Sequence, residues 1–177
     1  FLLAASGVED DHAFARAYLA PRTGEAWRPG AGTTVVADGS AELTLTQGGA
    51  ALADDAPPDP GAGPVTATMA FTVLATVDGN GRLQPAAPGT RQEVTYTLGV
   101  VDGEWRITGL PDGLLLDRAG FDLAFKPYQL YWVDPTRSYL VPETRWFGVR
   151  RAVVTTLVTE LLRGPSPWLA PAVTTGF

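Results

Sequence analysis

The chain has 177 residues, 45% of them hydrophobic and 18% charged, with 20 Gly, 15 Pro, no Cys and a single His. It is too apolar for a disordered chain and long enough to bury a sizeable core. Its 13 basic and 19 acidic residues, net −6, disfavour a nucleic-acid partner, and the lack of Cys removes disulfides, thiolate catalysis and Cys-ligated metals together.

In chain order, Phe1-Leu2-Leu3-Ala4-Ala5 is apolar but has no basic flank, so it does not read as a signal peptide. No stretch reaches the roughly 18 apolar residues that span a bilayer. The chain starts without Met and stops in an apolar stretch, so both ends read as cut and the piece as soluble. Residues 9–20 predict a helix, with acids in its first turn and an apolar stripe of Ala13, Phe14, Ala17 and Tyr18, stopped by Pro21. Trp27, in the loop that follows, is expected to anchor into the core. Two strands, Thr33–Ala37 and Ala41–Thr46, flank Asp38-Gly39 and predict a hairpin. Residues 47–63, rich in Gly, Ala, Asp and Pro, read as an exposed, mobile loop.

Residues 65–77 alternate cleanly, with Val65, Ala67, Met69, Phe71, Val73, Ala75 and Val77 on one side, and predict a long strand with one face on a core. Asp78-Gly79-Asn80-Gly81 turns it into a short strand near Arg82–Gln84. Asp102-Gly103 predicts a two-residue hairpin that pairs Val101 with Glu104, Val100 with Trp105 and Leu98 with Ile107. A helical start and a meandering antiparallel sheet give an α+β unit over residues 1–113. Residues 114–127 read as a connector that packs through Phe121 and Phe125. Over residues 128–177, strands at Tyr128–Val133 and around Tyr139–Trp146 are joined by a turn at Asp134–Arg137. A helix over 149–163 follows, with the stripe Val149, Val153, Leu157 and Leu161, closed by Gly164 and Pro165. This is a partial α/β unit of β-β-α order.

The segments Leu130–Pro135, Tyr139–Arg145, Leu161–Ser166 and Trp168–Val173 resemble the start of a GerMN domain, carried by Tyr131, Leu140, Val141, Pro142, Arg145, Leu162, Gly164 and Pro165. Upstream, Ala15–Leu19 and Trp27-Arg28-Pro29 resemble the N-terminal domain of the LpqB family of actinobacterial lipoproteins, which has the same order of parts. The resemblance implies an NTF2-like helix and curved antiparallel sheet for residues 1–113. It also implies a lipid anchor on the outer face of the cytoplasmic membrane, absent from this chain, a β-propeller-like continuation, and an accessory role beside an MtrA–MtrB type two-component system. The implied partner is a protein, a sensor-kinase extracellular domain.

No catalytic constellation stands out. His12 among Glu9, Asp10 and Asp11 is weighed as a general base of an NTF2-like pocket and read instead as an exposed helix-start residue. Tyr96 with a facing carboxylate would make an isomerase-type site, but Glu93 lies on the other strand face from Tyr96, and Glu104 on the other face from Trp105. Core packing is their expected role. Asp54, Asp55 and Asp59 lack EF-hand spacing. Arg145, Arg150, Arg151 and Arg163 read as the wet face of a helix and its flank. Gly79-Asn80-Gly81 opens no helix, and Ser6, Ser40, Ser138 and Ser166 lack a nucleophile elbow. The expectation is a non-enzymatic interaction module without metal or cofactor. The alternative is a small-ligand binder or enzyme that uses a pocket lined by Phe71, Tyr96 and Trp105.

Overall fold

The computed structural model describes residues 1–7, 9–53, 56–149 and 153–174, with the side chains of Glu9 and Asp10 outside that description. Three short helices come first: α1 (Leu2–Ala5), α2 (Ala13–Arg16) and α3 (Pro21–Ala26). One large sheet is built from β1 (Gly32–Val36), β2 (Glu42–Gln47), β3 (Ala50–Ala51), β4 (Val65–Asp78), β5 (Leu83–Pro85), β6 (Arg91–Val101), β7 (Glu104–Gly109) and β8 (Leu114–Asp117). Then α4 (Arg118–Ala124) leads into a hairpin of β9 (Phe125–Val133) and β10 (Leu140–Gly148), followed by α5 (Val153–Arg163). The architecture is α+β.

The 14-residue β4 organises the sheet. All seven of its alternate residues from Val65 to Val77 are buried, as the period of two predicts. Each edge of β4 carries two strands end to end. β2 pairs with its first half (Gln47↔Val65 to Glu42↔Ala70) and β1 with its second (Val35↔Ala75 to Gly32↔Asp78). On the other edge β6 covers the first half and β5 the second. β7 pairs outside β6 in the predicted register, with Asp102 and Gly103 both at positive φ (52° and 81°), as a type I′ turn requires.

Four expectations change. Asp38-Gly39 turns the chain without making a hairpin: β1 and β2 do not pair with each other but run successively along β4. The Thr72 amide bonds the Ser40 hydroxyl, and the Ala37 amide bonds the Thr72 carbonyl. The helix expected over 9–20 breaks into a 3-10 turn (Glu9–His12) and one turn of α2, because Asp11 and His12 are left-handed (φ 52° and 60°) and the edge of β7 takes the next segment. The Ile107 amide bonds the Tyr18 carbonyl and the Ala20 amide bonds the Ile107 carbonyl, so residues 18–20 extend as a bridge. Ala15 and Leu19 are therefore buried, and the predicted stripe members Phe14 and Tyr18 face water. Pro21 starts α3 at its first position, where its missing amide costs nothing. The sheet is mixed, since β8 runs parallel to β1, and this strand lies inside the stretch expected to be a connector. Phe121 and Ala124 of α4 belong to the same core.

The expected loop at 47–63 is tied down by Gln47. This buried amide donates to the Asp59 and Gly63 carbonyls (2.6 and 2.9 Å) and accepts from the Asp59 amide (3.0 Å). The second unit, from Phe125, keeps the predicted β-β-α order. Its turn is held by the Asp134 carboxylate, which accepts from the Thr136, Ser138 and Tyr139 amides. Gly164 ends α5 at φ 96°.

Candidate functional site: two apolar clefts and a buried ionic junction

The sheet face under α1 offers two clefts, one on each side of Leu2-Leu3. One, of 420 Å³, is lined by Met69, Phe71, Leu116 and Leu123; the other, of 360 Å³, by Leu43, Ala67, Tyr96, Leu98 and Ile107. The second is lined almost entirely by carbon, whereas the first also carries Ser6 and Asp117. Tyr96 is the titratable side chain of the second cleft, and burial pushes its phenol up to about 12, so it stays protonated at neutral pH. In the first cleft Asp117 accepts from the Gly120 amide (2.7 Å) as the cap of α4.

The junction between the two units is built differently. Arg145, on β10, is 0% exposed. One terminal nitrogen, Nη1, donates to Glu160 of α5 (3.2 Å) and to the Asn80 carbonyl in the β4–β5 turn (3.0 Å). The other, Nη2, donates to Glu143 two residues back (3.0 Å) and to the Gly164 carbonyl (3.4 Å). The guanidinium also lies over the Trp132 ring at 5.8 Å, while its Nε has no hydrogen-bond partner among the described residues. Two buried carboxylates around one buried cation leave a negative charge, which further donors offset. The Ser166 amide (3.1 Å) and hydroxyl bond Glu143; Arg163 bonds Glu160 and also the Asn80 side chain. Burial works to raise the Glu143 pKa, but hydrogen bonds from Arg145 and Ser166 outweigh it, so the carboxyl sits below its ordinary range.

The same turn is gripped twice more. The Trp146 amide bonds the Gly81 carbonyl (2.7 Å), and Phe147 packs so tightly on Gly81 that an added Cβ would meet its ring at 2.6 Å. Beside it, Phe121 stacks on Phe125 (5.0 Å) and meets Trp146 (5.2 Å). The two units are thus joined by an ionic knot, an edge hydrogen bond and an aromatic cluster.

The model of the LpqB lipoprotein N-terminal domain matches residues 1–122. The chain belongs to the LpqB lipoprotein family. It is 34% identical over 187 residues to a Thermobifida fusca Lipoprotein LpqB, covering 100% of this chain and 28% of that protein. It is 32% identical to the Rhodococcus opacus Lipoprotein LpqB (98% of this chain, 26% of that one) and 31% to the Streptomyces avermitilis protein (100% and 29%). The chain therefore spans little more than a quarter of the length of these LpqB relatives. No solved structure matches it, and no described helix is long and apolar enough to cross a membrane.

In this LpqB-family chain the three expected pocket residues do not share one pocket. Phe71 lines the first cleft and Tyr96 the second, whereas Trp105, half-buried opposite Val100, lines neither. His12 is not exposed as expected but 1% exposed. Its Nδ1 lies 3.0 Å from the Ala5 carbonyl, which can only accept, and its ring meets Trp27 edge-on at 5.9 Å. It lines neither cleft. Of the acidic loop, Asp59 caps the Gly61 amide, while Asp54 and Asp55 lie outside the described residues. The described residues contain no group of three or more metal-ligating side chains.

Arg145 and Arg163, read as a wet face, are the core and rim of the junction; Arg150 and Arg151 lie outside the described residues. Among the other GerMN-like positions, Val141 packs on the second core, Gly164 makes the turn, and Pro165 is half-buried beside it. Tyr131, Leu140, Pro142 and Leu162 are exposed. Sequence reading missed Glu143, Glu160 and Asn80 as partners of Arg145, and Ser166 as a partner of Glu143. A signal existed: Glu143 and Arg145 share a strand face, and Glu160 sits one residue from Leu161 in an apolar helical stripe, a position that needs a countercharge.

Proposed function

We propose that the chain is a non-catalytic, extracytoplasmic protein-binding part of its parent lipoprotein, accessory to an MtrA–MtrB type two-component system, with a sensor-kinase extracellular domain as partner. The family supplies the lipoprotein character. The observation that carries the binding role is the second unit's surface, where Tyr139, Leu140, Val154 and Leu162 stand in water as large apolar side chains. The reading requires them to form one contiguous patch, because contiguous exposed apolar patches, unlike scattered single residues, mark contact surfaces. The buried ionisable groups support a non-catalytic reading: Glu143, Arg145 and Glu160 are consumed by one another, and Tyr96 stays neutral.

The test is biolayer interferometry of the full-length parent lipoprotein against the purified sensor extracellular domain. Saturable binding is expected, weakened about tenfold or more by Leu140→Asp combined with Leu162→Asp. Absence of association with the intact parent overturns the reading. A second reading, an apolar-ligand binder, is favoured by the largely apolar clefts beside Tyr96 and Phe71. It requires saturable uptake of a fluorescent fatty acid that Leu43→Glu abolishes.

A further inference from the structure

Where the first unit meets the second, a cleft of 560 Å³ opens beside the ionic knot. One wall carries Asp78, Arg82 and Gln84 from the β4–β5 hairpin; the other carries Thr144 of β10 and Trp168 from the segment after α5. The walls are chemically unlike. Trp168 is 73% exposed and stacks on no described ring, an uncommon state for the largest apolar side chain. The Arg82 guanidinium, mostly buried, faces Asp78 at 3.9 Å, beyond hydrogen-bond reach, and its terminal nitrogens make no hydrogen bond within the described residues, while its Nε is closed off from solvent. The Gln84 side-chain amide makes no hydrogen bond within the described residues.

These features select a ligand chemistry. An idle indole face beside idle guanidinium and amide donors suits a molecule with an apolar face and a rim of oxygens. Charge narrows the class further. Arg82 is opposed by Asp78, and Glu143 in the same wall is already engaged by Arg145 and Ser166, so no net positive charge awaits an anion. A pyranose with equatorial substituents fits both conditions. Its axial C–H groups form a flat face that meets the negative face of an indole, and its hydroxyl or acetamido oxygens project in the ring plane toward donors.

We propose that this cleft is a saccharide-binding site, taking a neutral, equatorially substituted pyranose against Trp168 with its oxygens on Arg82 and Gln84. The site does not depend on the protein-binding reading, whose apolar side chains lie elsewhere. The knot around Arg145 holds the walls at fixed spacing, which reduces the ordering cost of binding.

The experiment titrates chitotetraose, and cellotetraose in a parallel arm, into the ¹⁵N-labelled 177-residue chain while following the Trp168 indole N–H resonance. Saturable shifts with a Kd on the order of a millimolar are expected, as one stacked ring and a few hydrogen bonds permit. Trp168→Ala should weaken binding about tenfold or more, read on the neighbouring amides, and Gln84→Ala severalfold. Both side chains are exposed, so the unfolding midpoint of each variant should match the parent. No shift with either sugar overturns the proposal, as does binding that is unchanged in Trp168→Ala.

Discussion

The two units solve the same problem with different materials. Around β4 the interior is carbon: Met69, Phe71, Val73 and Val77 meet Val35, Leu114, Leu116 and Phe121 with no charge among them. Among the described residues the second unit's own carbon cluster has four buried members, Leu130, Trp132, Leu169 and Val173, and its interior is completed with Glu143, Arg145 and Glu160. Burial of carbon is non-directional, so the first interior should forgive changes of shape that keep volume. A buried charge is stable only with its partners in place, so the second should forgive almost nothing.

The largest test of that contrast is Arg145→Ala. It strands two buried carboxylates and should cost about 3–5 kcal/mol in urea unfolding. Arg145→Lys should also be costly, because an ammonium cannot reproduce the fork that reaches Glu143, Glu160 and the Asn80 carbonyl at once. In the first unit, Met69→Ala should lose about 2–5 kcal/mol, yet Met69→Leu should lose less than about 1.5 kcal/mol. If Arg145→Lys proves as mild as Met69→Leu, the contrast fails.

Acid should sharpen the difference. The folded pKa of Glu143 is depressed, so its contribution to stability is complete above the unfolded carboxylate range and lost as pH falls through the folded value. Unfolding followed by Trp132 fluorescence should therefore begin in the second unit as pH drops below about 4. Asp112 and Asp134 have pKa values lowered by hydrogen bonds from Arg28 and from Thr136 and Tyr139, but both lie at the surface and should add little. Smaller still is the helix cap of the first unit: Asp117→Ala should cost about 1 kcal/mol by freeing the Gly120 amide. Smallest is the exposed pair Arg91–Glu42, where Arg91→Ala should change stability by less than about 1 kcal/mol.

The carbon-built unit was also the more legible one. β4 could be read directly because its side chains alternate between a buried and an open face, and the hairpin at Asp102-Gly103 because turn chemistry and apolar register agree. The failures share one cause. Asp38-Gly39 specifies that the chain turns there, but not that a 14-residue strand will capture both flanking segments on the same edge. The stripe of Ala13, Phe14, Ala17 and Tyr18 fits a helix, but the hydrogen bonds of Ile107, some 90 residues away in sequence, claim the backbone at 18–20. Of the candidate site, the apolar members were visible as strand residues. The ionic knot was legible only in its parts: Glu143 and Arg145 share a strand face and Glu160 borders an apolar stripe, but only the fold brings Glu160 and Asn80 to Arg145.

The seat of the knot, the turn from Asp78 to Gly81, lies at the very end of β4 rather than in the helix that links the units. A pull on the second unit is therefore delivered lengthwise into the longest strand of the molecule, where every neighbouring strand shares the load in shear. Gly81, pressed against Phe147 and the Trp146 carbonyl with no room for a side chain, is the bearing on which that load rests.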